Sequence, residues 1–337
     1  MLDELDSFAE RVKGRRDKEG TLKNRLSDIE CFRQWCISQN VDDISGIEIY
    51  EIEDYLTYLG QRDYAASVVD RRWWTLNILF NELVARDKIQ ENPLNKIDKS
   101  HYKDLFSGSK KSQYIESKGG IFALDEDGVN ELVDNVPNPV SRNRLIINLL
   151  YHTGVRRQEL ADIKLENIDL KERRIEIYSQ KQDSQYSADD PWRPVWYGKS
   201  IDMLMDQWIR VDREGYATSG SPYLFVGTQT DRLSGYRINE IVKESAENAG
   251  IQKIMYTDAF IDEENGVTGR KKYLITSHTL RHSFAKACMT PDDTGARIDV
   301  KSLAELMGHS DSSVTAEKYL HFAEDDIKEA RGLYGPR

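Results

Sequence analysis

Apolar residues in the first hundred positions recur at spacings of three and four, and this periodicity most constrains what the chain can become. Within residues 21–39 the series Leu22, Leu26, Ile29, Phe32, Trp35 and Cys36 marks one buried face of a helix. Thr21 is placed to cap its start and Asn40 to close it. A second helix is expected over residues 47–59. A third is expected over 67–86 through Val69, Trp73, Leu76, Phe80, Leu83 and Val84, and Asn92-Pro93 ends the helical region. The amino half thus reads as a helical domain over residues 1–100. Residues 101–120 are polar, carry glycine and lysine, and lack apolar periodicity, so they read as a linker to a second domain over 121–337.

At 337 residues with 39% hydrophobic content, the chain can build two real cores. No apolar run approaches the roughly 20 residues of a membrane span, and the amino end is charged throughout, so a cytoplasmic protein is expected. Cys31, Cys36 and Cys288 have no metal-ligand spacing and read as reduced core thiols. The formal net charge is −11. Proteins that bind nucleic acid are usually basic, because neutralising phosphates releases counterions. Any such surface here must therefore be local: residues 11–18, Arg71 and Arg72, Lys110 and Lys111, or Arg270, Lys271 and Lys272. A salty cytoplasm would explain the surrounding acid, which gathers in residues 3–10, 47–54 and 324–329.

The second half carries an ordered set of chemical residues. After a helix start at Leu124-Asp125-Glu126-Asp127, residues 145–151 form a continuous apolar run that must be buried. His152-Thr153-Gly154-Val155-Arg156 follows directly. A glycine at the end of a buried helix permits a left-handed turn, which would swing Arg156 from the core edge into a cleft. By itself an arginine there is more often a solvated cap. Residues 174–179 alternate apolar with polar, and 194–197 can return as their antiparallel partner. Lys181 stands just past the first strand, with Lys199 as its rival. In Ser277-His278-Thr279-Leu280-Arg281-His282, residues three apart share a helical face, so His278 and Arg281 can address one group. A helix over 303–307 stops at Gly308, followed by His309, and Tyr319 comes ten residues later.

In this order, Arg156, His278, Arg281, Gly308-His309 and Tyr319 resemble the catalytic set of the tyrosine recombinase (phage integrase) family. Glu159 matches an acidic residue of the family that orders the site, and Lys181 matches a lysine on its β-hairpin. His282 is expected to be a packed, structural histidine. The resemblance implies a mainly α protein with a small β-sheet: a helical (SAM-like) core-binding domain, then a catalytic domain, closing as a clamp round duplex DNA. It also implies a tetrameric synapse of identical subunits, coupled by the carboxy-terminal helix, in which Phe322, Ile327, Ala330 and Leu333 supply an apolar face. The amino-terminal pattern begins near Thr21, so no arm-binding domain is expected. The departures from the family pattern are a longer hairpin loop, an expanded segment around residues 291–295, and a slightly longer spacing from His309 to Tyr319.

The implied chemistry accounts for these residue types. Attack on a phosphodiester concentrates negative charge on the non-bridging oxygens, and planar, permanently charged Arg156 and Arg281 can each bond two of them. Phenol is a weak nucleophile near pH 7 because its pKa is about 10. The arginine field must therefore favour the Tyr319 phenolate while His278 assists proton transfer and His309 bonds the phosphate. Lys181 then protonates the leaving 5′ oxygen. The 3′-phosphotyrosyl ester conserves the bond energy, so rejoining requires no nucleotide, and the arginines perform the neutralisation a metal would otherwise supply. No P-loop, dinucleotide turn, zinc spacing or nucleophile elbow is present. The competing readings are a type IB topoisomerase with the same nucleophile, and a DNA-binding remnant without catalysis.

Overall fold

The computed structural model describes residues 3–14, 19–61, 66–102, 105, 121–178, 191–258, 270–290 and 297–308. The chain divides into two compact units: Met1–Ser117 with Met255–Lys272, and Lys118–Ile254 with Tyr273–Arg337. Most of the expected linker, together with Lys110, Lys111, Lys181, His309, Tyr319 and the tail beyond it, lies outside the described residues.

The first unit is built on helices α1 (Asp3–Gly14), α2 (Glu19–Ser38), α3 (Ile49–Gln61) and α4 (Ala66–Ala85). The expected periodicity is realised: Ile29, Phe32, Trp35 and Cys36 of α2 meet Ile52, Tyr55, Leu56 and Leu59 of α3 and Val69, Leu76, Phe80 and Leu83 of α4 in one core. At its centre the Phe32 ring stands edge-on to Tyr55, with 5.0 Å between centroids. The start of α2 differs from expectation, while its end agrees with it. Thr21 lies inside α2, which begins at Glu19, so it is no cap. Asn40, at φ 57°, takes the left-handed turn that closes the helix. Helix α1 is an addition. Its acidic first turn and basic last turn complement the helix dipole, and its short apolar series Leu5, Phe8 and Val12 is buried. Helix α4 ends at Ala85, and Asn92-Pro93 marks the end of the long helices as expected. The Asn92 side chain accepts from the Leu94 amide and donates to Asn77 and Asn81, fixing a 3-10 turn beyond α4.

The second unit opens with α5 (Glu126–Asp134), capped by Asp125, whose carboxylate accepts from the Gly128 amide at 2.9 Å. Helix α6 (Val140–Thr153) carries the apolar run: Leu145, Ile146, Ile147, Leu149 and Leu150 are fully buried. The short α7 (Arg157–Asp162) follows. Strands β1 (Ile168–Asp169), β2 (Arg174–Tyr178) and β3 (Trp192–Trp196) form an antiparallel sheet in which Ile175 pairs with Val195 and Ile177 with Arg193. The expected hairpin is present, with its return strand starting two residues earlier than its sequence suggested. Helix α8 (Asp202–Gln207) leads into a π-turn whose Trp208 donates to the Leu224 carbonyl from the core. Next come α9 (Gly235–Asn248), α10 (Ser277–Met289) and α11 (Val300–Met307), while β4 (Ile254–Asp258) and β5 (Arg270–Tyr273) form a two-stranded sheet most of whose residues belong to the first unit. Cys36 and Cys288 are free thiols pushed up to about 12 by burial.

Candidate active site

Gly154 ends α6 at φ 61° in the left-handed region, as the Thr-Gly-Val-Arg sequence requires. The turn also needs the space, because a Cβ there would lie 2.2 Å from Cδ1 of Phe284 on α10. Arg156 leaves this turn at the start of α7. Its backbone N–H donates to Glu159 Oε2 at 2.9 Å and its Nη1 to Glu159 Oε1 at 2.8 Å. Glu159 thus holds both the backbone and the head of Arg156. Arg156 itself keeps 27% of its side chain exposed, whereas Glu159 keeps 7%.

Helix α10 supplies the second group. Its first turn is held by Thr276 and by Ser277, whose amide and hydroxyl both donate to buried Asn239 of α9. Ser283 ties the same helix to the chain entering α5, accepting from the Leu124 amide at 2.8 Å. His278 and Arg281 share one face, as their spacing requires. His278 is exposed, its ring 4.8 Å from that of partly buried His282. Arg281 is buried and reaches two carbonyls, Nη1 to Gly154 and Nη2 to Met307, each at 2.6 Å.

These contacts converge on the carboxyl end of α11. The helix stops at Gly308, left-handed at φ 63°, as the sequence before His309 suggested. A helix end leaves carbonyls unsatisfied and concentrates negative potential. Here three arginines from three elements fill that role: Arg193 Nε donates to the Leu306 carbonyl at 3.2 Å, Arg281 to Met307, and Arg156 Nη2 to Gly308 at 2.9 Å. Arg156 and Arg281, 125 positions apart in sequence, therefore lie on adjacent carbonyls immediately before His309.

Arg193 was absent from the sequence-derived set. It lies on β3 at 6% exposure and donates from Nη2 to Glu159 Oε2 at 2.8 Å. Strand pairing reveals it: β3 alternates exposed Trp192, buried Arg193, half-buried Pro194 and buried Val195, so a cation occupies an inward position. Burial opposes ionisation of Glu159, but Arg193 and Arg156 outweigh it and hold the carboxyl at about 2.

The basic surface candidates separate. Arg72 is buried beside Asp28, 3.6 Å from its carboxylate, and so is part of the interior of the first unit and not a DNA-facing group. Arg71 forks the same carboxylate while staying 37% exposed. Lys271 is exposed and Lys272 half-buried on β5; Arg270 begins that strand. Among the described residues, no cluster of His, Cys, Asp and Glu is arranged to hold a metal ion, and no helix is long and apolar enough to cross a membrane.

A profile described as the phage integrase family matches residues 123–325, more than half of the chain. The chain belongs to the phage integrase family. The matched span contains Arg156, Lys181, Arg193, His278, Arg281, His309 and Tyr319. Tyrosine recombinase XerC of Staphylococcus saprophyticus is 24% identical over 317 residues, covering 92% of this chain and 89% of its own. Tyrosine recombinase XerA of Pyrococcus furiosus is 28% identical over 214 residues, covering 62% of this chain and 60% of its own. Among solved structures, the Tn1549 transposon integrase in complex with transposon right end DNA gives a TM-score of 0.68 at 14% identity, covering 98% of this chain and 99% of that one. The λ integrase (75–356) dimer bound to a COC′ core site gives 0.65 at 17% identity, covering 94% of each chain. Likeness at these identities establishes the fold of this mainly helical protein with its small sheets.

Proposed function

We infer that the protein is a site-specific DNA recombinase that cleaves and rejoins strands through a 3′-phosphotyrosyl intermediate formed by Tyr319. The observation that carries this is the convergence of Arg156 and Arg281 on the carbonyls of Gly308 and Met307, inside a span that matches the integrase family. Exposed His278 on the face of Arg281 adds a proton-transfer group. In this reading the two guanidiniums take the non-bridging oxygens of the scissile phosphate, and His278 assists proton transfer to and from the Tyr319 oxygen. His309 bonds the phosphate, and Lys181 protonates the leaving 5′ oxygen. Glu159 touches no substrate and orders Arg156, while His282 packs beside His278. Neither metal nor nucleotide is required, because charge neutralisation comes from arginine and the ester bond is conserved.

Residues 1–100 act as the core-binding domain and 121–337 as the catalytic domain, joined across the DNA by 101–120. Lys110, Lys111, Arg270, Lys271 and Lys272 provide local positive charge against the net −11. Curated relatives named tyrosine recombinases along nine-tenths of the chain favour recombination over strand relaxation by a topoisomerase. The working form is a tetramer on two duplex sites in the cytoplasm, coupled through the tail; deleting the chain from Glu324 should impair assembly on DNA, and normal synapsis and recombination by the truncated protein would refute that coupling. The mechanism is tested by incubating the protein with its own flanking DNA in EDTA. Wild type should form a covalent protein–DNA adduct and Tyr319→Phe none; an adduct in the variant, or a metal requirement in wild type, overturns the proposal.

A further inference from the structure

We propose that Arg193 is a positioning residue for strand cleavage: it neutralises Glu159 and pins the end of α11, so that Arg156 is held toward the scissile phosphate. The inference rests on the recombinase reading above and extends it to a residue outside the expected catalytic set.

Three observations support this role. First, Arg193 is 6% exposed and commits Nε to the Leu306 carbonyl and Nη2 to Glu159, while the Arg156 side chain remains 27% exposed. Second, Glu159 is shared. Its Oε2 accepts from both Arg193 Nη2 and the Arg156 backbone, and its Oε1 accepts from the Arg156 guanidinium. With Arg193 removed, the whole buried carboxylate charge would fall on Arg156, drawing its guanidinium inward and spending its positive charge before the phosphate arrives. Third, Arg193 Nε holds the Leu306 carbonyl and its head packs on Gly308, where an added Cβ would sit 2.8 Å from Nε. The same guanidinium therefore locates the residue directly before His309.

The arrangement carries a desolvation cost that ordinary packing would avoid. Arg193 Nη1 is buried with no hydrogen-bond partner among the described residues. At a strand position facing the core, a valine or isoleucine would pack without that loss. A fork that bonds a carboxylate and a helix-end carbonyl together is what an aliphatic side chain cannot supply.

The test is single-turnover cleavage of a radiolabelled site, measured as the rate constant for adduct formation at saturating DNA. The dissociation constant and urea unfolding are measured in parallel on wild type, Arg193→Met, Arg193→Lys, Glu159→Gln and the Arg193→Met/Glu159→Gln double variant. Arg193→Met should lose about 100-fold in the rate constant, the scale of a misplacement of about 1 Å at a reacting group, with DNA affinity unchanged. Arg193→Lys, which keeps the charge but cannot fork, should lose about 10-fold, and decides the case if the methionine variant does not fold. Removing the carboxylate charge as well should restore the double variant at least about 10-fold above Arg193→Met. A purely structural pair would shift the urea midpoint and leave the rate constant of the folded protein as in wild type, and that result overturns the proposal. So does a double variant whose losses simply multiply. If wild type forms no tyrosine adduct, the recombinase reading falls and this inference with it; if wild type forms the adduct and the Arg193 variants match it, this inference falls alone.

Discussion

Replacing Gly154 with alanine tests how the first arginine is placed. The residue sits at φ 61°, where an L side chain costs about 1–2 kcal/mol. The added methyl would also stand 2.2 Å from Cδ1 and 2.7 Å from Cε1 of the Phe284 ring, well inside contact distance. That ring packs against the small core of Ala285, Met289, Leu303 and Met307, so it can retreat only by displacing α10 or α11. Overpacking of this kind adds about 1–3 kcal/mol. The two terms predict a loss of roughly 3 kcal/mol from the second unit, read by urea unfolding with near-ultraviolet circular dichroism. Function should fall further than stability alone explains, because the Gly154 carbonyl accepts from Arg281 Nη1 and Arg156 follows two residues later. Gly215→Ala is the control: a Cβ there meets nothing within 4 Å. If Gly154→Ala unfolds within about 0.5 kcal/mol of wild type, the surface-substitution range, the reasoning is wrong.

Other expectations follow from the same structure. Glu159 is held at about 2 in the folded state against an ordinary value of 4.5, so the unfolded state binds the extra proton between those values. Its contribution, on the order of 3 kcal/mol, is fully present above about pH 5 and lost as pH falls toward 2; acid titration of Glu159→Gln should lack that component, and an unchanged profile would refute the assignment. Asp28 is 1% exposed and accepts from Arg71 and from Thr75, so Asp28→Ala should destabilise the first unit by about 3–5 kcal/mol through the buried Arg72 left behind; a loss below about 1 kcal/mol in urea would contradict it. Lys271→Ala should weaken binding to all DNA sequences alike and reduce the slope of log K against log salt by about 1. A sequence-selective loss would place this lysine at a base edge instead.

Much of the framework was legible because it depends on local pattern. Three-and-four spacing located α2, α3 and α4 to within two residues, since a helix face repeats wherever its apolar residues do. The glycine before Arg156 and the glycine before His309 announced two left-handed helix ends, and both are present. Thr21 misled because a threonine can cap or sit within a helix, and the choice depends on where the preceding chain turns. Helix α1 escaped notice because its apolar residues are few among charges. Arg193 was hidden for a different reason: in a list of 47 basic residues nothing marks one as buried until its strand is paired and its inward face is known.

The sequence by itself determined which chemistry is available, since Arg156, His278, Arg281 and Tyr319 stand in an order that needs no coordinates to read. It also determined the helical character of both halves, because periodicity is a property of neighbours along the chain. Only the tertiary structure decided how the charges are shared. Arg156 and Arg193 are 37 positions apart in sequence, yet meet through the one Glu159 carboxylate, and with Arg281 the two arginines settle on three successive carbonyls at the end of α11. Coulombic coupling and hydrogen bonding depend on distance in space, and burial sets their strength. Neither quantity is written in the order of residues.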